Sequence, residues 1–282
     1  MLIINTIDEL RSVLKNQENI AFVPTMGNLH AGHIQLVKVA KQQESCVVVS
    51  IFVNPLQFGP TEDLASYPRT LEADCEKLKT AGASIVFTPT VEEMYADFDG
   101  KNLNQTMTIT PPPIASELCG ASRPGHFSGV ATVVMKLFNM VQPSMAVFGQ
   151  KDFQQLFIIK QMVKQFNLPI RIIGVDTVRE PSGLAMSSRN GYLTNAQRAA
   201  ASQLNSALQG IVKLVKNGNK NYADLEQQAR TELNSKGWLT DYISIRTSET
   251  LMPANGSETK LVVLGAAKLG NTRLIDNLTF NI

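Results

Sequence analysis

The stretch that decides the fold is Ile20-Ala21-Phe22-Val23-Pro24-Thr25-Met26-Gly27-Asn28-Leu29-His30-Ala31-Gly32-His33. Residues 20–23 are apolar and suit a buried strand, which Pro24 is expected to stop. A glycine-containing turn follows, and residues 33–43 carry a helical pattern. In an open α/β sheet the crevice beyond a strand's carboxyl end is the usual ligand site, and a helix N-terminus there favours anions. Gly27 and Gly32 allow a ligand to approach the backbone closely. His30 and His33 are three apart and share a face if helical. Two imidazoles at such a terminus suit phosphate oxygens that gain charge in a transition state. Two other readings stand beside this one: a surface and a core histidine, or a metal pair for which no third ligand is in view.

Working outward, residues 2–4 read as a strand, and Thr6-Ile7-Asp8-Glu9 fits a capping box that opens a helix. Residues 46–53 form a β-branched run, 71–81 a helix closed by Gly82, and 84–88 a strand ended by Pro89. Residues 129–141 read as an apolar helix, 146–148 as a strand, 154–166 as a helix and 170–175 as a strand. This alternation predicts an α/β fold with a doubly wound, Rossmann-like parallel sheet. The connector 97–123 contains Pro111-Pro112-Pro113 and is long, as functional loops or segments with an edge strand are.

Past residue 176 the pattern changes. Thr194-Asn195-Ala196-Gln197 is a second capping-box string, and the helix after it places Leu204, Ala207, Leu208, Ile211 and Val215 on one face. Residues 222–235 read as another helix, and 242–246, 260–264 and 272–275 as strands. Two domains are therefore expected: residues 1–176, and a smaller α+β domain of residues 177–282.

The chain has 282 residues, 44% of them hydrophobic, with 26 Lys+Arg against 24 Asp+Glu. This balance excludes a dedicated duplex-DNA binder, which shows a strong basic excess. The charge is uneven: residues 1–176 carry 14 basic and 16 acidic side chains, and residues 177–282 carry 12 and 8. Three cysteines, none in a CxxC string, argue against a disulfide framework or a thiolate zinc site and for reduced thiols in the cytosol. No signal-like N-terminus and no apolar run of ~18 residues is present, so a cytoplasmic chain without a membrane span is expected.

Further strings have chemical potential. Gly149-Gln150-Lys151-Asp152-Phe153-Gln154-Gln155 lies at another strand-to-helix junction. Lys151 could hold a phosphate and Asp152 a ribose hydroxyl, although Asp and Gln also favour helix starts. Met186-Ser187-Ser188-Arg189-Asn190 could clamp phosphate, although alone it reads better as a polar loop. Asn54 and Gln57, in Phe52-Val53-Asn54-Pro55-Leu56-Gln57-Phe58-Gly59, are amides suited to a polar or carboxylate ligand, but Asn-Pro is also a routine turn. The last string is Arg123-Pro124-Gly125-His126-Phe127.

In combination these strings resemble the pantoate–β-alanine ligase family, within the HxGH adenylate-forming superfamily shared with class I aminoacyl-tRNA synthetases. The resemblance is carried, in order, by residues 24–33, 52–70, 121–130, 148–156 and 183–190 and covers nearly the whole chain. It implies ATP-dependent joining of (R)-pantoate and β-alanine through a pantoyl-adenylate, with Mg²⁺, release of AMP and pyrophosphate, and a homodimer. By motif match, His30, Lys151 and Arg189 would be catalytic. The ATP set would be Met26, His30, His33, Gly149, Lys151, Asp152, Val178, Met186, Ser187, Ser188 and Arg189. Pantoate and β-alanine would meet Pro24, Met26, Asn54, Gln57 and Gln155, with Tyr67 and Arg123 secondary. Asp74 would be a metal-linked carboxylate, and the smaller domain would close over ATP. Gln150 stands where the family often has Glu, so no proton-transfer role falls to it, and His126 receives no role.

Two alternatives remain. A nucleotidyltransferase of the same superfamily would leave a nucleotidylated product rather than free AMP. A non-enzymatic nucleotide-sensing module would bind ATP without making AMP.

Overall fold

Six parallel strands build the larger sheet, in the order β1-β4-β3-β2-β5-β6. The computed structural model describes residues 1–60 and 62–282; Thr61, inside the 52–70 string, lies outside the described residues. In chain order the elements are β1 (Leu2–Ile4), α1 (Ile7–Leu14), β2 (Ile20–Thr25), α2 (Ala31–Gln43), β3 (Cys46–Ile51), α3 (Leu71–Ala81) and β4 (Ile85–Phe87). There follow α4 (Val91–Met94), α5 (Cys119–Ser122), α6 (His126–Val141), β5 (Met145–Gly149), α7 (Phe153–Gln165) and β6 (Arg171–Val175). Residues 1–150 and 155–176 form one compact unit.

Strand periodicity explains its two cores. Ile20, Phe22, Val48 and Phe148 face a cluster with Leu10 of α1, Leu137 of α6 and Ile159 of α7. Their neighbours Ala21, Val23, Val47 and Val147 face the opposite cluster, with Val37 of α2 and Leu78 of α3. The sheet is thus covered on both faces, which is why its strands are apolar throughout. From β2 the chain builds outward through β3 to β4, and from β5 it builds the other way to β6. The order therefore reverses between β2 and β5, and their carboxyl ends mark the crevice where ligands of such sheets bind.

Pro24 does not stop β2, which continues to Thr25 with Pro24 opposite Ser50 of β3. Thr25 accepts a bond at its carbonyl from the Phe52 N–H on the β3 side. Alternation then turns the N–H-less face of Pro24 toward β5, whose pairing with β2 has already ended at Phe22. No ladder bond is lost. Helix α6 begins at His126, three residues before the expected start, because Gly125 supplies the left-handed entry with φ 80°. Among the described residues, connector 97–123 contains short helical turns and no strand.

The second unit comprises residues 151–154 and 177–282. Strands β7 (Trp238–Thr247), β8 (Lys260–Leu269) and β9 (Thr272–Asn281) form an antiparallel sheet. Helices α8 (Asn195–Ala200), α9 (Gln203–Lys216) and α10 (Tyr222–Ser235) accompany it. The single helix expected after Thr194 is broken into α8 and α9. Leu204, Leu208, Leu225 and Leu233 pack with Ile243, Ile245, Leu261 and Val263 in one core. All three strands run past their expected ends. Gly265-Ala266-Ala267 carries little strand propensity, and its pairing with both neighbours holds it extended.

One contact in the first unit is backbone on backbone. A Cβ on Gly129 of α6 would lie 2.3 Å from the Leu56 carbonyl oxygen and 2.8 Å from the Gln57 Cα. Gly129→Ala is therefore predicted to lower unfolding free energy by about 1–3 kcal/mol, the usual cost of overpacking. Urea unfolding followed by circular dichroism checks this, and an unchanged midpoint would show that α6 can withdraw freely.

Candidate active site

The turn from β2 into α2 is held by Asp74 of α3. Its carboxylate is fully buried. Oδ2 accepts from the Asn28 N–H at 2.7 Å and the Thr70 hydroxyl at 3.0 Å, and Oδ1 accepts from the Leu29 N–H at 2.8 Å. Lys77 lies 3.6 Å from Oδ1 and donates to the Leu29 carbonyl. Gly27 and Asn28 have φ of 85° and 50°. A Cβ at Gly27 would sit 3.3 Å from Asp74 Oδ2, so glycine serves both the dihedral and the approach. Asp74, expected to be metal-linked, has both of its oxygens bonded to the turn and its flank in this structure. Among the described residues no three His, Cys, Asp or Glu side chains gather as a metal site.

At the end of that turn His30 is the N-cap of α2. Its Nδ1 accepts from the Gly32 N–H at 3.1 Å, and the Nδ1 of His33 accepts from the His30 N–H at 3.3 Å. The rings are 4.1 Å apart. Two histidines thus do the work usually done by Ser and Glu in a capping box. An Nδ1 that accepts carries no proton, so in the neutral ring the proton is on Nε2. Each imidazole therefore has an Nε2–H donor, the group a phosphate oxygen requires. His30 and His33 come together as the spacing predicted, although His30 lies before the helix rather than on its face.

Beyond β3, Asn54 caps the 3-10 turn Pro55–Gln57. Asn54 is buried, and its amide is engaged on all sides. Nδ2 donates to Gln57 Oε1 and the Gly129 carbonyl; Oδ1 accepts from the Leu56 N–H and the Tyr95 hydroxyl. Its geometry is that of a brace for Gln57. Gln57 Nε2 lies 3.2 Å from Met26 Sδ, which brings Met26 and Gln57 together. Pro24 is half-buried at the end of β2, and Tyr67 is buried with its ring against Phe58.

Arg123 grips Glu62 with Nε at 2.6 Å and Nη2 at 2.7 Å, and its Nη1 is 2.9 Å from His126 Nε2. Burial alone would raise the Glu62 carboxyl. The hydrogen bonds and charge of Arg123 outweigh it and hold the group below the ordinary carboxylate value. A lowered pKa means that the pair supports the fold above the ordinary carboxylate pKa and ceases to as pH falls through the lowered value. The guanidinium expected to meet substrate is thus directed at Glu62 and His126.

Gly149 closes β5, and among the described residues none beyond its chain neighbours comes within 4 Å of where its Cβ would stand. Gln155 is half-buried on the first turn of α7. In the second unit, Lys151 Nζ lies 3.6 Å from Asp152 Oδ2. The Lys151 carbonyl accepts from Asn277 Nδ2 at 2.9 Å. Asp276, next to it in β9, pairs through both oxygens with Arg179 at 2.7 and 2.8 Å and accepts from Asn205. Arg179 also donates to the Gly183 carbonyl. Gly183 is the tip of a hairpin in which Arg179 bridges Ala185 and the Met186 N–H donates to the Val178 carbonyl. Val178 and Met186 are therefore side by side, and Ser187 caps the turn Ser188–Tyr192 that carries Ser188 and Arg189. Sequence reasoning missed Asp276, Asn277, Glu62 and Tyr95. The visible signal for the first two was a pair of polar residues inside an apolar strand.

A parallel sheet whose order reverses beside a capped, histidine-bearing helix N-terminus places the chain in the nucleotide-binding α/β class. The chain belongs to the pantoate–β-alanine ligase family, whose model matches residues 2–279. It is 61% identical to the pantothenate synthetase of Methylobacillus flagellatus over 99% of each chain. A crystal structure of the Thermus thermophilus pantothenate synthetase matches with a TM-score of 0.92 and 42% identity over 99% of each chain. The Francisella tularensis pantoate–β-alanine ligase, crystallised with β,γ-ATP and β-alanine, matches with a TM-score of 0.80 and 36% identity, covering 99% of this chain and 97% of that one.

Asp74→Ala should leave two backbone donors and a hydroxyl without their acceptor. Each buried orphan costs about 1–3 kcal/mol, so a clear fall in the urea midpoint is expected. A midpoint equal to wild type would remove Asp74 as the brace of the turn.

Proposed function

We propose that this chain joins (R)-pantoate to β-alanine with ATP, releasing AMP and pyrophosphate. The observation that carries the reading is the His30–His33 cap, with both Nδ1 atoms bonded to backbone at the N-terminus that follows β2. The whole-length family match supports the substrate pair.

The pantoate carboxylate is already a nucleophile at neutral pH, so the first step requires no base. Its oxygen attacks the α-phosphorus, the bond to the bridging oxygen breaks, and pyrophosphate leaves. The obstacle is charge repulsion, which His30, Lys151 and the α2 N-terminus would offset. His33, Ser187, Ser188 and Arg189 would hold the remaining phosphate charge, with Met186 and Val178 beside the nucleotide. Asp152 would take the ribose near Gly149. Gln57 and Gln155 would hold the pantoate hydroxyls and carboxylate, against Pro24 and Met26. In the second step the β-alanine amine attacks the anhydride carbonyl, AMP departs and the amine loses a proton.

The donor set does not fit a resident metal cage, and Mg²⁺ would enter on the triphosphate, adding charge neutralisation there. A homodimer, which rests on the family resemblance, and a cytoplasmic location, which the cysteine usage supports, complete the proposal. Among the described residues no helix is long and apolar enough to cross a membrane.

Pantoate should support exchange of labelled pyrophosphate into ATP without β-alanine; no exchange would sink the adenylate route. His30→Ala and Lys151→Ala should each lower turnover on the order of 10²-fold or more, measured as AMP formation. Near-normal turnover removes either residue from transition-state stabilisation.

A further inference from the structure

His126 has no part in the chemistry above, yet it is buried and hydrogen-bonded at both ring nitrogens. Arg123 can only donate, so its Nη1 at 2.9 Å makes His126 Nε2 an acceptor. The ring proton then sits on Nδ1, which lies 2.9 Å from the Gln57 carbonyl oxygen and donates to it. The position suits a neutral ring, because His126 is the first residue of α6, where the helix N-terminus disfavours a cation. Arg123 is in turn held by both oxygens of Glu62. The chain of bonds runs from Glu62 through Arg123 and His126 to the main chain of Gln57.

Gln57 is thereby fixed at two points. Asn54 and Met26 set its side-chain amide, and His126 sets its backbone. A short 3-10 turn has few bonds of its own: the Gln57 N–H reaches the Asn54 carbonyl at 3.4 Å, a long contact. The His126 bond is shorter and comes from a helix.

We propose that Glu62, Arg123 and His126 are positioning residues that lock the Gln57 main chain and so aim its amide at the hydroxy acid. This rests on Gln57 meeting pantoate, as proposed above. Amide variants separate the two ends of the histidine. His126→Asn retains a donor on the same branch as Nδ1, whereas the longer amide of His126→Gln reaches only toward Arg123. His126→Phe removes both ends.

Steady-state kinetics with each substrate varied, alongside thermal melts, test the proposal. His126→Phe and His126→Gln should raise KM for pantoate about 10-fold, with KM for ATP within about twofold, and His126→Asn should return to within about threefold of wild type. Glu62→Gln should shift pantoate KM in the same direction by less. If His126→Phe does not fold, the two amide variants decide between them. Equal pantoate KM in those two variants, or KM values for all substrates rising together with a lowered melting temperature, overturns the proposal. Wild-type enzyme that makes no AMP from pantoate, β-alanine and ATP overturns the functional reading, and this inference with it. An active wild type with unmoved variants overturns the inference alone.

Discussion

Everything at the β2 end of the crevice depends on the buried carboxylate of Asp74. A turn with two consecutive left-handed residues, Gly27 and Asn28, is not a state the chain holds without support. Asp74 supplies acceptors to the N–H groups of Asn28 and Leu29, while Thr70 and Lys77 hold the carboxylate from beside it. The direction in which α2 starts, and with it the orientation of two imidazoles, follows from that anchoring. The charge lies in α3, far along the chain from the turn it organises.

The same logic recurs at two other strings the sequence singled out: a residue expected to touch ligand is held by another from a distant part of the chain. Asn54 takes its hydrogen bonds from Tyr95 and the Leu56 backbone and passes its own to Gln57. Lys151 is bonded at its carbonyl by Asn277, whose neighbour Asp276 also secures Arg179 and the hairpin leading to Met186. In the second unit two adjacent residues of β9, Asp276 and Asn277, thus tie together the two strings expected to meet phosphate. In the proposed reaction such supports would keep these side chains from rearranging when charge moves.

Much of this was legible in the sequence, for reasons that differ by residue. Helix α3 ends at Gly82 as expected, since only glycine pays no steric penalty at φ 88°. Helix α10 occupies the expected residues because its apolar spacing is unambiguous. Pro24 misled because a local rule ignores which face of a strand has a neighbour. Strand β8 was underestimated because its Gly-Ala-Ala segment is held by partners rather than by propensity. The site was legible as strings, but not as bonds. Nothing in the sequence near Arg123 says that its partners are Glu62 and a histidine three residues on, and Asp74 was expected at a metal rather than at the backbone of the β2–α2 turn.

The meeting of α6 with the turn below it has a consequence for how this site can vary. At Gly129 the helix backbone rests on the carbonyl of Leu56, with no room for a methyl group. That wall of the Gln57 neighbourhood is made of main chain, so no exchange of side chains can move it. With Gln57 meeting the hydroxy acid as proposed, a bulkier or smaller acid would have to be accommodated elsewhere, at Met26 or along the first turn of α7, and the peptide skeleton of this chain would act as a fixed gauge of length.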